Sequence, residues 1–159
     1  MKFGLSIFST ATGMPPHLAA QQAEKLGFES FFVSEHSHIP VSTDFPIGDE
    51  VPLIYKSMYD PFVALAAAAS VTSSINLGTA ICILPQHSPI NCAKSLATID
   101  QISGGRVVFG IGAGWNAAEM EHHGVHFSDR FSVTSESIEV MKAFWSEEIT
   151  EFHGKHFDI

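Results

Sequence analysis

Apolar runs alternate with amphipathic stretches along the whole chain. Phe3–Phe8 reads as a first strand, and a helix over Pro15–Leu26 follows and stops at Gly27. Ser30–Val33 is a short buried strand. Asp60-Pro61 sets a cap and a first-turn proline before a helix reaching Thr72. Ile75–Leu84 is the third apolar strand. Ser88-Pro89 repeats the cap-plus-proline device before a helix to Ile102, which Gly104-Gly105 ends. Arg106–Ile111 is the fourth strand. A short helix over Asn116–His122 precedes a longer one over Ser132–Trp145, with Ile138, Met141 and Trp145 on one face. The stretch Ile149–Ile159 predicts two short strands around Gly154.

Strands that each lead into a helix predict an α/β fold with a parallel sheet covered on both faces. One segment breaks the alternation. Residues 37–59 are rich in Pro, Asp and Ser without a clear period, and a loop of that length in a compact domain is usually a lid or a substrate loop. A complete (β/α)₈ TIM barrel takes about 250 residues. The 159 residues supply four βα units, so the expectation is a single domain over 1–159 forming the N-terminal half of such a barrel.

Composition narrows the function classes. With 45% hydrophobic and 16% charged residues, the chain has enough apolar side chains for a real core and is not a disordered segment. A formal net charge of −9 disfavours nucleic acid and anionic membrane as partners. No stretch reads as a membrane span. Cys82 and Cys92 fall in a strand and a helix, which suits a reduced cytoplasmic protein better than a disulfide scaffold. His38, His122, His123 and His126 lack the spacing of a recognised zinc motif, so no metal site is expected.

The most informative run is Arg106-Val-Val-Phe-Gly-Ile-Gly-Ala-Gly-Trp115-Asn-Ala-Ala-Glu119. A strand breaks into alternating glycines and opens a helix, which lets backbone approach an anionic or planar ligand. Two readings compete: a dinucleotide fingerprint, or the fourth βα turn of a barrel. The fingerprint belongs after the first strand, with an acid at the end of the next. Here the glycines follow the fourth strand, and Asp129 lies in a helix entry. Context favours the barrel turn.

Several segments then converge. Ser34-Glu35-His36 follows the second strand, Leu77–Pro85 forms the third, and Ser88-Pro89 opens a helix. Leu96–Arg106, Gly110–Asn116 with Glu119, Arg130–Trp145 and Phe152-His-Gly154 complete the series. In this order the chain resembles the luciferase-like monooxygenases, a superfamily of flavin- or deazaflavin (F420)-dependent oxidoreductases.

That resemblance implies a cavity where the strands end. His36 would stand beside the flavin ring and assist the redox step, as a side chain able to change charge near neutral pH; the plainer reading is a histidine filling a strand end. Thr79, Ala80 and Ile81 match a bulge with a non-proline cis peptide behind the ring. Glu35, Gly110, Gly112, Gly114 and Asn116 would complete the cofactor wall. Glu119 matches an acid that contacts flavin in some members, although an acid near a helix N-terminus is also favoured by the helix dipole. Trp115 could pack on substrate or cofactor, or staple the turn. Gly112 replaces the reactive cysteine of bacterial luciferase, and Trp115 replaces a glutamate of F420-dependent sugar-phosphate dehydrogenases, so neither activity is indicated.

The expected function is an FMN- or F420-dependent oxidoreductase or monooxygenase acting on a small organic substrate, as a homo-oligomer (dimer). The alternative is a non-catalytic flavin-binding or scaffold half-barrel that lacks the cofactor phosphate site.

Overall fold

A computed structural model describes residues 1–48 and 50–159. Four strands, β1 (Gly4–Ile7), β2 (Ser30–Val33), β3 (Asn76–Ile83) and β4 (Val107–Gly112), form one sheet in sequence order. Every neighbouring pair is parallel, with Gly4 opposite Ser30, Ser30 opposite Asn76, and Leu77 opposite Val107. Helices α1 (Pro16–Lys25), α2 (Pro61–Ala69) and α3 (Pro89–Ser103) make the crossovers. After β4 come α4 (Ala117–His122) and α5 (Arg130–Ser146). A strand order that follows the chain, with each crossover a helix, is the arrangement of a partial TIM barrel.

The helix starts follow the sequence. Asp60 accepts a hydrogen bond from the Val63 amide at 2.9 Å, and proline stands first in both α2 and α3. Gly104 caps α3 in the left-handed region at φ 73°.

The helices cover one face of the sheet. Ala19, Ala20 and Ala23 of α1 and Leu65, Ala68 and Ala69 of α2 pack on Phe31, Val33 and Leu77. Alanines at helical spacing let these helices sit close to the strands. A second cluster joins Leu84 to Cys92, Ala93 and Leu96 of α3 and Met141 of α5. Each fully buried Phe, Leu or Met here contributes about 1.5–3 kcal/mol through removal from water. The expectation of a sheet covered on both faces is corrected: Phe8, Ile81 and Val108 stay 42, 38 and 43% exposed. A closed barrel would turn this second face inward.

Arg106 ties the N-terminal ends of β3 and β4 to the helices. Its guanidinium and Nε donate to the carbonyls of Thr72, Ile75, Ser103 and Ala69, and to Thr72 Oγ1. Two further expectations are adjusted. Residues 149–159 make an isolated antiparallel bridge between His153 and Asp158, flanked by Phe152–Ile159 backbone bonds, in place of two strands. The long loop carries a 3-10 helix over Leu53–Ser57, and Met58 bridges to Thr10; Asp49 of that loop lies outside the described residues.

Candidate active site

The C-terminal ends of the strands converge on a cleft of about 150 Å³. Of the residues singled out in the sequence, Glu35, His36, Ala80, Ile81, Gly114 and Trp115 line it, beside Phe8, Ser34, Tyr55 and Ile83. Ordinary ligand pockets hold roughly 300–1,000 Å³, so these four strands provide one wall.

His36 is the organising side chain. Its Nδ1 lies 2.6 Å from Oε2 of Glu119, and the Trp115 indole N–H donates to its Nε2 at 3.2 Å. An indole nitrogen only donates, so Nε2 is the acceptor and the ring proton sits on Nδ1, pointing at the carboxylate. The other oxygen of Glu119 accepts from the amide and hydroxyl of Ser37, at 2.8 and 3.1 Å. Burial of this fully enclosed carboxylate works to raise its pKa. The hydrogen bonds and charge of His36 and the donors of Ser37 outweigh that, and Glu119 sits below the usual carboxylate range. Glu119 therefore lies behind His36, buried, and not on the cleft surface.

Asn116 supports this arrangement from the start of α4. Its Oδ1 accepts from the Glu119 amide at 3.3 Å, and its Nδ2 donates to Thr43 of the long loop at 3.0 Å. One residue thus caps the helix that carries Glu119 and holds the loop.

The β3 ledge is irregular. The Ala80–Ile81 peptide is cis, and the β3–β4 register shifts between Thr79 and Cys82. Thr79 is buried and donates to the Gly110 carbonyl at 2.6 Å, so it braces the ledge from below. The glycines serve the same ledge. A Cβ at Gly110 would fall 2.2 Å from the Thr79 carbonyl oxygen, and one at Gly112 would fall 2.6 Å from Ile81 Cδ1. Close packing of β3 on β4 accounts for both glycines. Gly114 turns at φ 75° against Ile83 and Met120.

The model of the luciferase-like monooxygenase family matches residues 2–159. The chain belongs to this family. Among relatives of this luciferase-like chain, an uncharacterized protein of Mycobacterium tuberculosis is 41% identical over 160 residues, covering 98% of this chain and 57% of its own length. The chain thus spans little more than half of that relative. A solved structure of the oxygenating constituent of 3,6-diketocamphane monooxygenase from Pseudomonas putida, in complex with FMN, matches with a TM-score of 0.80. It is 25% identical, with 100% of this chain and 43% of that one covered. An F420-dependent secondary alcohol dehydrogenase, in complex with an F420–acetone adduct, matches with a TM-score of 0.73. There the identity is 25% and the coverage 100% and 47%.

Within this luciferase-like site, sequence reasoning missed the contribution of the long loop. Tyr55 meets His36 edge-on at 5.2 Å between ring centroids, and Phe45 meets Tyr55 and Trp115 at 5.7 and 5.6 Å. Aromatic residues in a polar loop were the available signal, because an exposed loop has little other use for them. Ser37 was missed as well, and three of the histidines set aside for lacking a zinc spacing gather around it. Ser37 Oγ reaches His38 and His123 at 2.9 and 2.7 Å, and His38 Nε2 lies 2.8 Å from His122 Nδ1. His126 takes no part in this group. Its separation from His122 follows the end of α4 and the left-handed turn at Gly124.

Proposed function

We propose that this chain supplies the ring-binding wall of an FMN- or F420-dependent luciferase-like oxidoreductase that acts on a small organic substrate. The observation that carries the reading is the line Glu119–His36–Trp115, set beside the Ala80–Ile81 ledge at the C-terminal ends of the strands. Active sites of TIM-barrel folds occupy this end.

The residues fit a flat, redox-active ring. Ala80 and Ile81 offer an exposed, largely apolar shelf, and His36, Tyr55 and Trp115, packed edge to face on one another, line the same cleft. The cofactor, when bound, supplies hydride or oxygen-activating chemistry that no side chain here can provide. The protein's own task is proton handling and exclusion of water. With its Nδ1 proton held by Glu119, His36 keeps its Nε2 lone pair engaged by the Trp115 indole N–H at the edge of the cleft, so a substrate hydroxyl reaches that nitrogen by displacing the indole. His36 is then placed to take a proton from that hydroxyl, with Glu119 stabilising the imidazolium that forms. Trp115, Phe45 and Tyr55 cover the site from the loop side.

Support for the two cofactors comes from the FMN complex and the F420–acetone complex of the structural neighbours. Relatives extend well beyond this chain's length, so the proposal places the phosphate-binding part of the site in the portion they carry in addition. Titration of the chain with FMN, F420 and lumiflavin, followed by ring fluorescence, tests it. Lumiflavin, the ring without phosphate, is expected to bind about as well as FMN, and His36→Ala is expected to change the bound spectrum. Unperturbed fluorescence with all three ligands removes the reading.

A further inference from the structure

A second group of chemically active side chains lies behind the cleft, on the helix-covered side of the sheet. Glu35, Cys82 and His87 bring one oxygen, one sulfur and one nitrogen within 4.8 Å of one another. The Glu35 and Cys82 side chains are buried, and His87 is 21% exposed, which leaves an approach from solvent. Glu35 Oε1 lies 2.7 Å from His87 Nε2, while its Oε2 accepts from the Ile83 amide at 2.7 Å. Phe62 meets the His87 ring edge-on at 5.3 Å and helps fix its orientation. Cys92 of α3 is a second buried free thiol. Glu35 borders the cleft, but its two carboxylate oxygens are engaged by His87 and the Ile83 amide, and Cys82 and His87 do not line the cleft.

The geometry points to a binding site for one zinc-class divalent ion, with Glu35, Cys82 and His87 as its three protein ligands. A mixed oxygen, nitrogen and sulfur set suits a borderline-soft ion. Bonds of about 2.0–2.3 Å in a tetrahedron put donor atoms roughly 3.3–3.7 Å apart. Closure therefore asks Oε1 and Nε2 to part by under about 1 Å, and the sulfur to draw in by up to about 1.5 Å. The ion would take the place of the proton between Nε2 and Oε1, and the Cys82 thiol would release its proton to solvent. A bound cation favours the thiolate over the thiol. The Ile83 amide already holds the second carboxylate oxygen, as outer partners of metal ligands do. This inference does not rest on the cofactor reading, because none of its donor atoms needs to touch a flavin.

Cobalt(II) is the probe, because a thiolate bound to tetrahedral Co²⁺ gives a near-ultraviolet charge-transfer band and visible d–d bands. Titration of the metal-free full chain with CoCl₂ is expected to develop both, saturating at one ion per chain, and ZnCl₂ is expected to abolish them. Cys82→Ser should remove the charge-transfer band or cut it sharply. His87→Gln, at a partly exposed position, should weaken binding by more than the roughly 10–100-fold typical of an outer partner's loss. Circular dichroism of both variants without metal verifies the fold. Cobalt could also bind the exposed His38–His122 pair, so His38→Ala is run in parallel and should leave the bands unchanged. No thiolate band, bands that survive His87→Gln at full affinity, or bands lost in His38→Ala would each overturn the assignment.

Discussion

His36 Nδ1 and Glu119 Oε2 lie 2.6 Å apart, joining the end of β2 to a helix 83 residues further along. Glu119 is fully buried, and its two oxygens together receive His36 and Ser37. Glu119→Ala would leave those donors without a partner, and each buried donor so exposed to loss costs about 1–3 kcal/mol. Chemical denaturation should register a drop in that range or above. Glu119→Gln keeps the shape and removes the charge. Its ring-nitrogen NMR spectrum should show the His36 Nδ1 resonance displaced from its position in the parent chain, and an unchanged Nδ1 resonance would contradict the pairing.

Acid should weaken the fold through carboxylates whose pKa is lower folded than unfolded. Burial of Glu24 acts to raise its pKa, but the amides of Ser74, Ile75 and Ser73 bring it to about 2 from an ordinary 4.5. Stability from this group is complete above pH 4.5 and drains away as pH falls toward 2. Glu119 is shifted in the same direction and contributes with the same sign. Denaturation midpoints measured through that window should fall, and Glu24→Gln should flatten the decline. A midpoint that stays level between pH 5 and pH 2 would count against both assignments.

The two glycines of the ledge should respond differently to an added methyl. At Gly110 the obstacle is the Thr79 carbonyl, which belongs to the backbone and has nowhere to go. At Gly112 it is the end of the Ile81 side chain, which can rotate. Gly110→Ala is expected to lose about 3 kcal/mol or more, at or beyond the top of the usual overpacking range, and Gly112→Ala about 1 kcal/mol. Urea denaturation of the pair checks the order, and adding Ile81→Val should recover most of the loss at Gly112 alone.

Asn116→Ala should act at two places. Loss of the α4 cap costs about 1 kcal/mol, and the Nδ2 bond to Thr43 disappears with it. Limited proteolysis should then cut faster within residues 41–57 while sites elsewhere keep their rates. Uniform acceleration would mean general destabilisation and no tie to the loop.

Much of the fold was legible because local signals agreed with it. Asp60-Pro61 and Ser88-Pro89 start the helices where the sequence predicts, and Gly104 stops one. His36 and Trp115, singled out because both stand beside strand ends, line the cleft. Contacts between distant segments were not legible. Glu119 reads in sequence as an acid near a helix N-terminus, and only the fold brings it behind His36. The Glu35–His87 pair spans 52 residues and carries no spacing signature. The glycine run suggested a ligand cradle, but its shape follows from the bulge in the adjacent strand, which no one-dimensional pattern encodes. The covering of both sheet faces failed for a similar reason: hydrophobicity says that a strand is apolar, not what stands opposite it.

Arg106 fastens the far ends of β3 and β4, well away from the cleft. The foundation of the sheet is therefore built from one set of residues and the chemistry from another. Such a division makes the loop over residues 37–59 a place where sequence can drift or be exchanged while the base stays intact. Selection for a new substrate could rewrite Phe45 and Tyr55 freely, and the chain would still find the same fold.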